Sequence, residues 1–457
     1  MPAEPERSAE IELARSVVAR AVAAGATQAE ATYTITDRFS TEARGDGIDK
    51  LEQSVARGVI LRVFVDGAKA ALATTDLSDG GLETFVRETV DAARFVAPDE
   101  HAGLPVDSLP PVGARRVTSS DDGELEMFAD DVRARSPESK IEAVIALEKA
   151  IRASDPRIVN SSGSRVADTT VTLALANSLG FAGSYRASQV SIGTSPIAED
   201  GATKRTASYG SAARSYAGLE AVDAIAMKAA RRAVGAIGSR KPETMRVPVI
   251  FERDAAAGVL ADIFAAVNAA NVAVGNSFFA QRVGERVGSD AVTIVDDGRL
   301  PRGLGTSPFD GEGVPTRRTI VVENGVLRSF LFDTYYARRL SAASTGNAAG
   351  GGIGPNNFYL VPGTGSLEDL IAATPRGVLV LDTIGFSTES VTGTYSRGAR
   401  GFAIEHGALA YPIDEFTIAG NLIEMLGAID AIAADIVFDQ AIVSPSFRVA
   451  EMTVAGS

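Results

Sequence analysis

Cysteine is absent from all 457 residues, and histidine occurs only twice, at His101 and His406. The missing thiols exclude disulfides, a thiolate nucleophile and Cys-ligated zinc or iron. A catalytic zinc commonly takes two His one helical turn apart plus a third ligand, and these two His fall in different expected domains. A shared metal site is therefore not expected, and structural or surface roles are favoured for both. No uninterrupted apolar run approaches the ~18 residues of a membrane helix. The start, "MPAEPERSAE", lacks the basic and apolar segments of a secretory signal. Positive charge is also short, with 44 Lys and Arg against 58 Asp and Glu, a net charge of -14. No basic stripe offsets it, so nucleic acid and anionic membrane are poor partners on electrostatic grounds. A cytoplasmic location is expected.

The length favours two or three cores, since single cores seldom grow past about 250 to 300 residues. Residues 1–104 read as helix, antiparallel strands, helix. The first helix places Ile11, Ala14, Val18, Ala21 and Val22 on one face, with Ser8 as N-cap and Gly25 as stop. Asp66-Gly67 signals a type I′ hairpin, and Ser78 opens a second helix with Leu82, Phe85, Val86 and Val90 inward. A Pro-, Ser- and Asp-rich stretch, 105–122, reads as a linker. Residues 123–240 repeat the helix, strands, helix order. From 241 to 457 one helix is followed by short strands and by the hairpin turns Asn324-Gly325 and His406-Gly407. The expected class is α+β: two small helix and antiparallel-sheet units, then a β-rich C-terminal domain with barrel or sandwich character.

The run "VPVIFERDAAAGVLADIF", 247–264, is a buried strand leading directly into a helix, with Glu252, Arg253 and Asp254 at the join. Such a junction often carries hydrolase chemistry, but no GxSxG elbow occurs and His406 is the one imidazole in the C-terminal half. The Gly-rich segment 344–365 lacks both the Lys-Ser/Thr ending of a P-loop and Rossmann spacing, so a surface loop or cleft lining is favoured over a nucleotide site. Asp414 and Glu415 are adjacent, which on a strand turns their side chains to opposite faces. Solvation or ion pairing is the ordinary role of such a pair. An independent hydrolase would have Asp254, Glu405, Asp414 or Glu415 as its acid–base groups.

The segments "RLPRGLGTSPFDGEGVPTRRTIVVENGVLRSFLFDTYYARRL", "STGNA", "TGTYSRGARGFAIEHGALAYPIDEFTIAGNL" and "AEMTVAGS", with "FVAPDEHAGLP" further upstream, resemble the TldD/PmbA family, most closely its TldE (PmbA) branch. The resemblance implies a heteromeric cytoplasmic zinc protease acting on unfolded or short, extended peptides, with the metal in a TldD-like partner. TldD-type chains carry His-Glu-x-x-x-His on this helix and a Cys near the C-terminus. Matching that pattern here puts Arg253 and Gly258 at the His positions, Asp254 at the Glu position and Ser444 at the Cys position. The implied role is a non-catalytic subunit with no cofactor of its own, zinc being expected in the partner. Ser344, Thr345, Gly346 and Asn347, together with Tyr395, Ser396, Arg397 and Gly398, are expected to contact peptide or partner, with Arg397 suited to anchoring a carboxylate. Self-association is a further possibility, and a homo-oligomeric peptide-binding protein is the remaining alternative.

Overall fold

A computed structural model describes residues 4–106, 116–117, 124–201, 203–385 and 388–456. The first helix, Glu4–Ala23, already runs well before Ser8, so Ser8 lies within it rather than capping it. Its inward face is Ile11, Ala14, Val17, Val18 and Ala21, while Val22 points outward at 45% exposure. Ser78 caps the second helix, Asp79–Arg94, by accepting from the Gly81 amide, and Leu82, Phe85, Val86 and Val90 are buried as their spacing predicts.

The two α+β units share one sheet. Its order runs Ala68–Thr74, Gly47–Val65, Gln28–Arg44, Ile158–Asn177, Ala182–Asp200, with Arg116–Val117, Thr203–Thr206 and Tyr209–Ala213 all on the far side of the last long strand. Gln28–Arg44 joins the units by pairing antiparallel with Ile158–Asn177, from Glu30 opposite Asn177 to Ala43 opposite Ser164. Each unit keeps its own core at opposite ends of these long strands. One gathers the first two helices over Ala29, Ala31, Tyr33, Ala174 and Ala176. The other gathers the helices Pro137–Ser154 and Val222–Gly235 over Ala43, Val166 and Ile192. Of the expected linker 105–122, residues 107–115 and 118–122 lie outside the described residues, and Arg116–Val117 runs parallel to Ala182–Gly183.

The C-terminal domain is built on a closed barrel. Ala408–Asn421, Thr394–Glu405, Arg376–Ile384, Met245–Phe251 and Phe447–Ala455 pair in that order, and Thr417–Ala419 close the ring against Thr453–Ala455. Closure leaves these strands no free edge between them. Met245–Phe251 is buried on both faces: Val247, Val249 and Phe251 enter the main core, while Ile250 joins a second cluster with Leu370, Leu379 and Ile404. Hence the unbroken apolar run Val247–Phe251. The turns Asp66-Gly67, Asn324-Gly325 and His406-Gly407 all carry the expected positive φ at both residues.

Arginines tie the α+β units to the barrel domain. Arg214 donates to the carbonyls of Gly303 (2.6 Å), Leu304 (2.9 Å) and Thr306 (3.3 Å). Arg338 donates to the carbonyls of His101 and Leu104, and Tyr335 to Asp99 at 2.7 Å. The "FVAPDEHAGLP" segment thus docks on the short helix Thr334–Arg339, which places His101 in a structural contact.

Candidate functional site

The helix Arg253–Val267 begins where Glu252 caps it, its Oε2 accepting from the Asp254 amide at 3.1 Å. The Ala-rich run that follows favours helix, and its apolar face enters the barrel core. At this N-terminus three cations and several carboxylates converge on one ring. Tyr209 Oη donates to Glu220 at 2.6 Å and accepts from Lys228 Nζ at 3.0 Å and Arg253 Nη2 at 3.1 Å. Lys228, Arg232 and Arg253 surround the Tyr209 ring at 5.1, 4.9 and 5.9 Å from its centroid. Arg232 bridges Asp254 at 2.6 Å and Glu252 at 3.1 Å, and Arg253 Nε lies 3.4 Å from Asp254. Burial, reinforced by the Asp254 charge, raises the Glu252 carboxyl above its ordinary range; burial likewise raises Asp439. Tyr209, Arg232, Arg253, Asp254 and Asp439 of this group line a cleft of about 490 Å³ together with Ser191–Ser195 and Gly210–Ala212.

Arg253 therefore fills its position with a guanidinium held by Tyr209 and Asp254. A Cβ added at Gly258 would meet only Thr383 Oγ1, at 3.8 Å, so space is available there but no donor atom. Ser444 is buried and donates to the Pro445 carbonyl at 2.8 Å, just beyond the Ile442–Val443 strand that packs against this helix. A guanidinium has no free lone pair, glycine has no side chain, and a neutral hydroxyl is a poor zinc ligand. These residues do not fit a metal. Among the described residues, no cluster of three or more His, Asp or Glu is arranged to hold one.

The other sequence-chosen residues lie apart from this cleft. Ser344, Thr345 and Asn347 are buried. Thr345 Oγ1 accepts from the Phe332 amide at 2.7 Å, Asn347 Nδ2 donates to Asp296 at 2.7 Å, and Gly346 adopts φ +77°. Arg397 donates to both oxygens of Asp262 at 2.8 Å, so its carboxylate partner is already within the chain. Tyr395 is 1% exposed in the main core, while Ser396 and Gly398 sit in the ladder opposite Ala419 and Thr417. Glu405 ends a barrel strand beside the His406 turn, exposed. Asp414 and Glu415 fall at a bulge, with Glu415 at φ +54°; Asp414 lies 3.3 Å from Arg400, and Glu415 3.4 Å from Lys241. Of all these carboxylates only Asp254 faces the cleft, through the wall it shares with Arg232 and Arg253.

Tyr209, Glu220, Lys228, Arg232 and Asp439 escaped the sequence reading. They come from the middle unit and a late loop, and no spacing in the chain links them to Arg253. Tyr209→Phe removes a hydroxyl with three partners and is expected to cost about 1–2 kcal/mol in urea unfolding. A change below about 0.3 kcal/mol would mean that the ring alone organises the cluster.

Comparison with known proteins places this geometry. Models of the PmbA/TldA metallopeptidase family match in order: domain 1 over 29–94, the central domain over 130–237 and the C-terminal domain over 244–456. Metalloprotease PmbA of Escherichia coli O157:H7 is 30% identical over 430 residues, covering 94% of this chain and 92% of its own length. The Metalloprotease PmbA homolog of Haemophilus influenzae is 32% identical over 441 residues, covering 96% and 94%. A solved protein of Bacteroides thetaiotaomicron VPI-5482, described as a proposed modulator of DNA gyrase, matches with TM-score 0.89 at 25% identity over 100% of both chains. TldE from Thermococcus kodakarensis shares the fold, with TM-score 0.86 at 22% identity over 97% of this chain and 100% of its own. The chain belongs to the PmbA/TldD metallopeptidase family.

Proposed function

We propose that this chain is the non-catalytic, TldE-type subunit of a heteromeric cytoplasmic zinc protease acting on unfolded or extended peptides. The observation that carries the reading is Arg253, a cation locked to Tyr209 and Asp254 where a ligating His would stand. The chain then contributes assembly and cleft shape, and a TldD-like partner supplies the metal. A peptide would lie along the cleft by main-chain hydrogen bonds, since residues 209–212 line it and the strand Tyr209–Ala213, among the described residues, pairs on one side only.

The test is affinity purification of the chain at native level from its host, with co-purifying proteins identified by mass spectrometry and zinc measured in the isolated chain. Stoichiometric recovery of a His-Glu-x-x-x-His protein and no bound zinc in the isolated chain are expected. One tightly bound zinc per chain, with chelator-sensitive cleavage, would overturn the proposal. Asp254, the one carboxylate expected from the sequence that lines the cleft, favours a second reading, an independent hydrolase. It requires turnover by the isolated chain that Asp254→Asn abolishes.

A further inference from the structure

The strand Gly47–Val65 is paired on both sides only in part. Its neighbour Ala68–Thr74 reaches from Val65 back to Val59 and stops there. A Cβ on Gly58 would lie 3.0 Å from the Thr74 carbonyl oxygen, which marks this shoulder. Beyond it Gly47–Arg57 is exposed throughout, and among the described residues its outer edge has no partner. Ile48, Leu51 and Val55 are 37%, 49% and 57% exposed on this segment. A long, partly apolar open edge is a template for strand pairing, which proteins ordinarily cover or break up.

The geometry points to a second copy of this same chain as the occupant: we propose that Gly47–Val55 pairs antiparallel with its own copy about a two-fold axis at Leu51. The charge pattern is self-complementary in that register. Lys50 faces Glu52 of the second copy on both sides of the axis, and Leu51 faces Leu51. Shifting the axis by one residue to Glu52 would set that carboxylate against itself, a destabilising like-charge pair. With the axis at Leu51, Gly47 falls opposite Val55, so pairing ends short of the Thr74 shoulder. Lys50 and Glu52 already pair within the chain at 2.9 Å with both side chains about half exposed, so docking two edges brings together four charges of alternating sign. The edge lies two strands away from Arg165 of the cleft lining, on the side of the sheet away from Tyr209–Ala213, and the inference does not rest on the protease reading.

The chain's lack of cysteine gives a direct test. Leu51→Cys carries the sole thiol and should form a disulfide-linked dimer on mild oxidation, because directly opposed residues of antiparallel strands lie within disulfide reach. Val55→Cys, set opposite glycine, should not. In sedimentation equilibrium the wild-type chain should be a dimer, and Lys50→Glu should weaken it by roughly tenfold or more in Kd by creating two like-charge contacts. Lys50→Glu/Glu52→Lys should restore it, with thermal unfolding of the subunit unchanged because the sites are exposed. A wild-type monomer at micromolar concentration would overturn the proposal, meaning that Lys50 and the register break at Asp49 suffice to protect the edge. So would a dimer indifferent to Lys50→Glu, or one cross-linked through Val55→Cys and not Leu51→Cys.

Discussion

Replacing Arg62 with methionine is expected to destabilise the fold by roughly 3–5 kcal/mol, because it leaves two buried carboxylates without their shared cation. Arg62 lies in the strand Gly47–Val65 and donates to Glu30 of the neighbouring strand at 2.6 Å and to Glu312 of the barrel domain at 3.1 Å. Both acids are almost fully buried, at 4% and 6% exposure. Glu312 also accepts from the Thr334 amide at 3.0 Å, so the bridge fixes the sheet against the segment 298–317 and the start of the helix Thr334–Arg339. Urea unfolding provides the measurement. The triple change Arg62→Met/Glu30→Gln/Glu312→Gln should recover a large part of the loss, since amides are far cheaper to bury than carboxylates. A loss under about 1 kcal/mol in the single variant would show that the two acids take up protons and stay without their cation at little cost.

Stability should also fall as the pH rises from about 5 to about 8.5, by on the order of a few kcal/mol. Three buried carboxyls carry this prediction. Burial pushes Glu30 up to about 7 despite its bond to Arg62, and Asp296 up to about 6 despite hydrogen bonds from Asn347 and Asn356. Burial and the neighbouring Glu312 charge push Asp310 up to about 8, against three backbone N–H donors that favour its ionised form. Each carboxyl holds its proton more tightly folded than unfolded. The folded chain therefore carries more protons between about pH 4 and pH 8, stability declines through that window, and the loss is complete above the folded values. Glu30→Gln should flatten part of the slope. A urea midpoint that stays constant or rises over this range would contradict the assignment.

Several features were legible from local sequence. Asp66-Gly67, Asn324-Gly325 and His406-Gly407 specify their turns because left-handed φ at two successive residues suits few other pairs. Ser78 caps its helix, and the stripe Leu82, Phe85, Val86 and Val90 is buried, because a 3.6-residue period fixes one face. The first helix departs from the pattern in two details: Val22 is outward and the start precedes Ser8. The family resemblance gathered at the tight turns and barrel strands of the C-terminal domain, where glycines meet neighbouring backbone. A Cβ at Gly401 would lie 1.8 Å from the Leu379 carbonyl oxygen.

The sequence by itself determined the α+β class, the turns, and that Arg253 and Gly258, neither of them a metal-ligating residue type, stand on the Arg253–Val267 helix, because each depends on residue type or on dihedral preferences a few residues apart. Tertiary structure alone decided that the two small units share one sheet, that Arg397 is committed to Asp262, and that Ser344, Thr345 and Asn347 are interior. It also decided that Tyr209, Lys228 and Arg232 of the middle unit close around Arg253 of the barrel domain. These pairings join residues far apart in the chain. Their partners are selected by burial and charge after the chain has folded back on itself, and no local preference encodes which partner that will be.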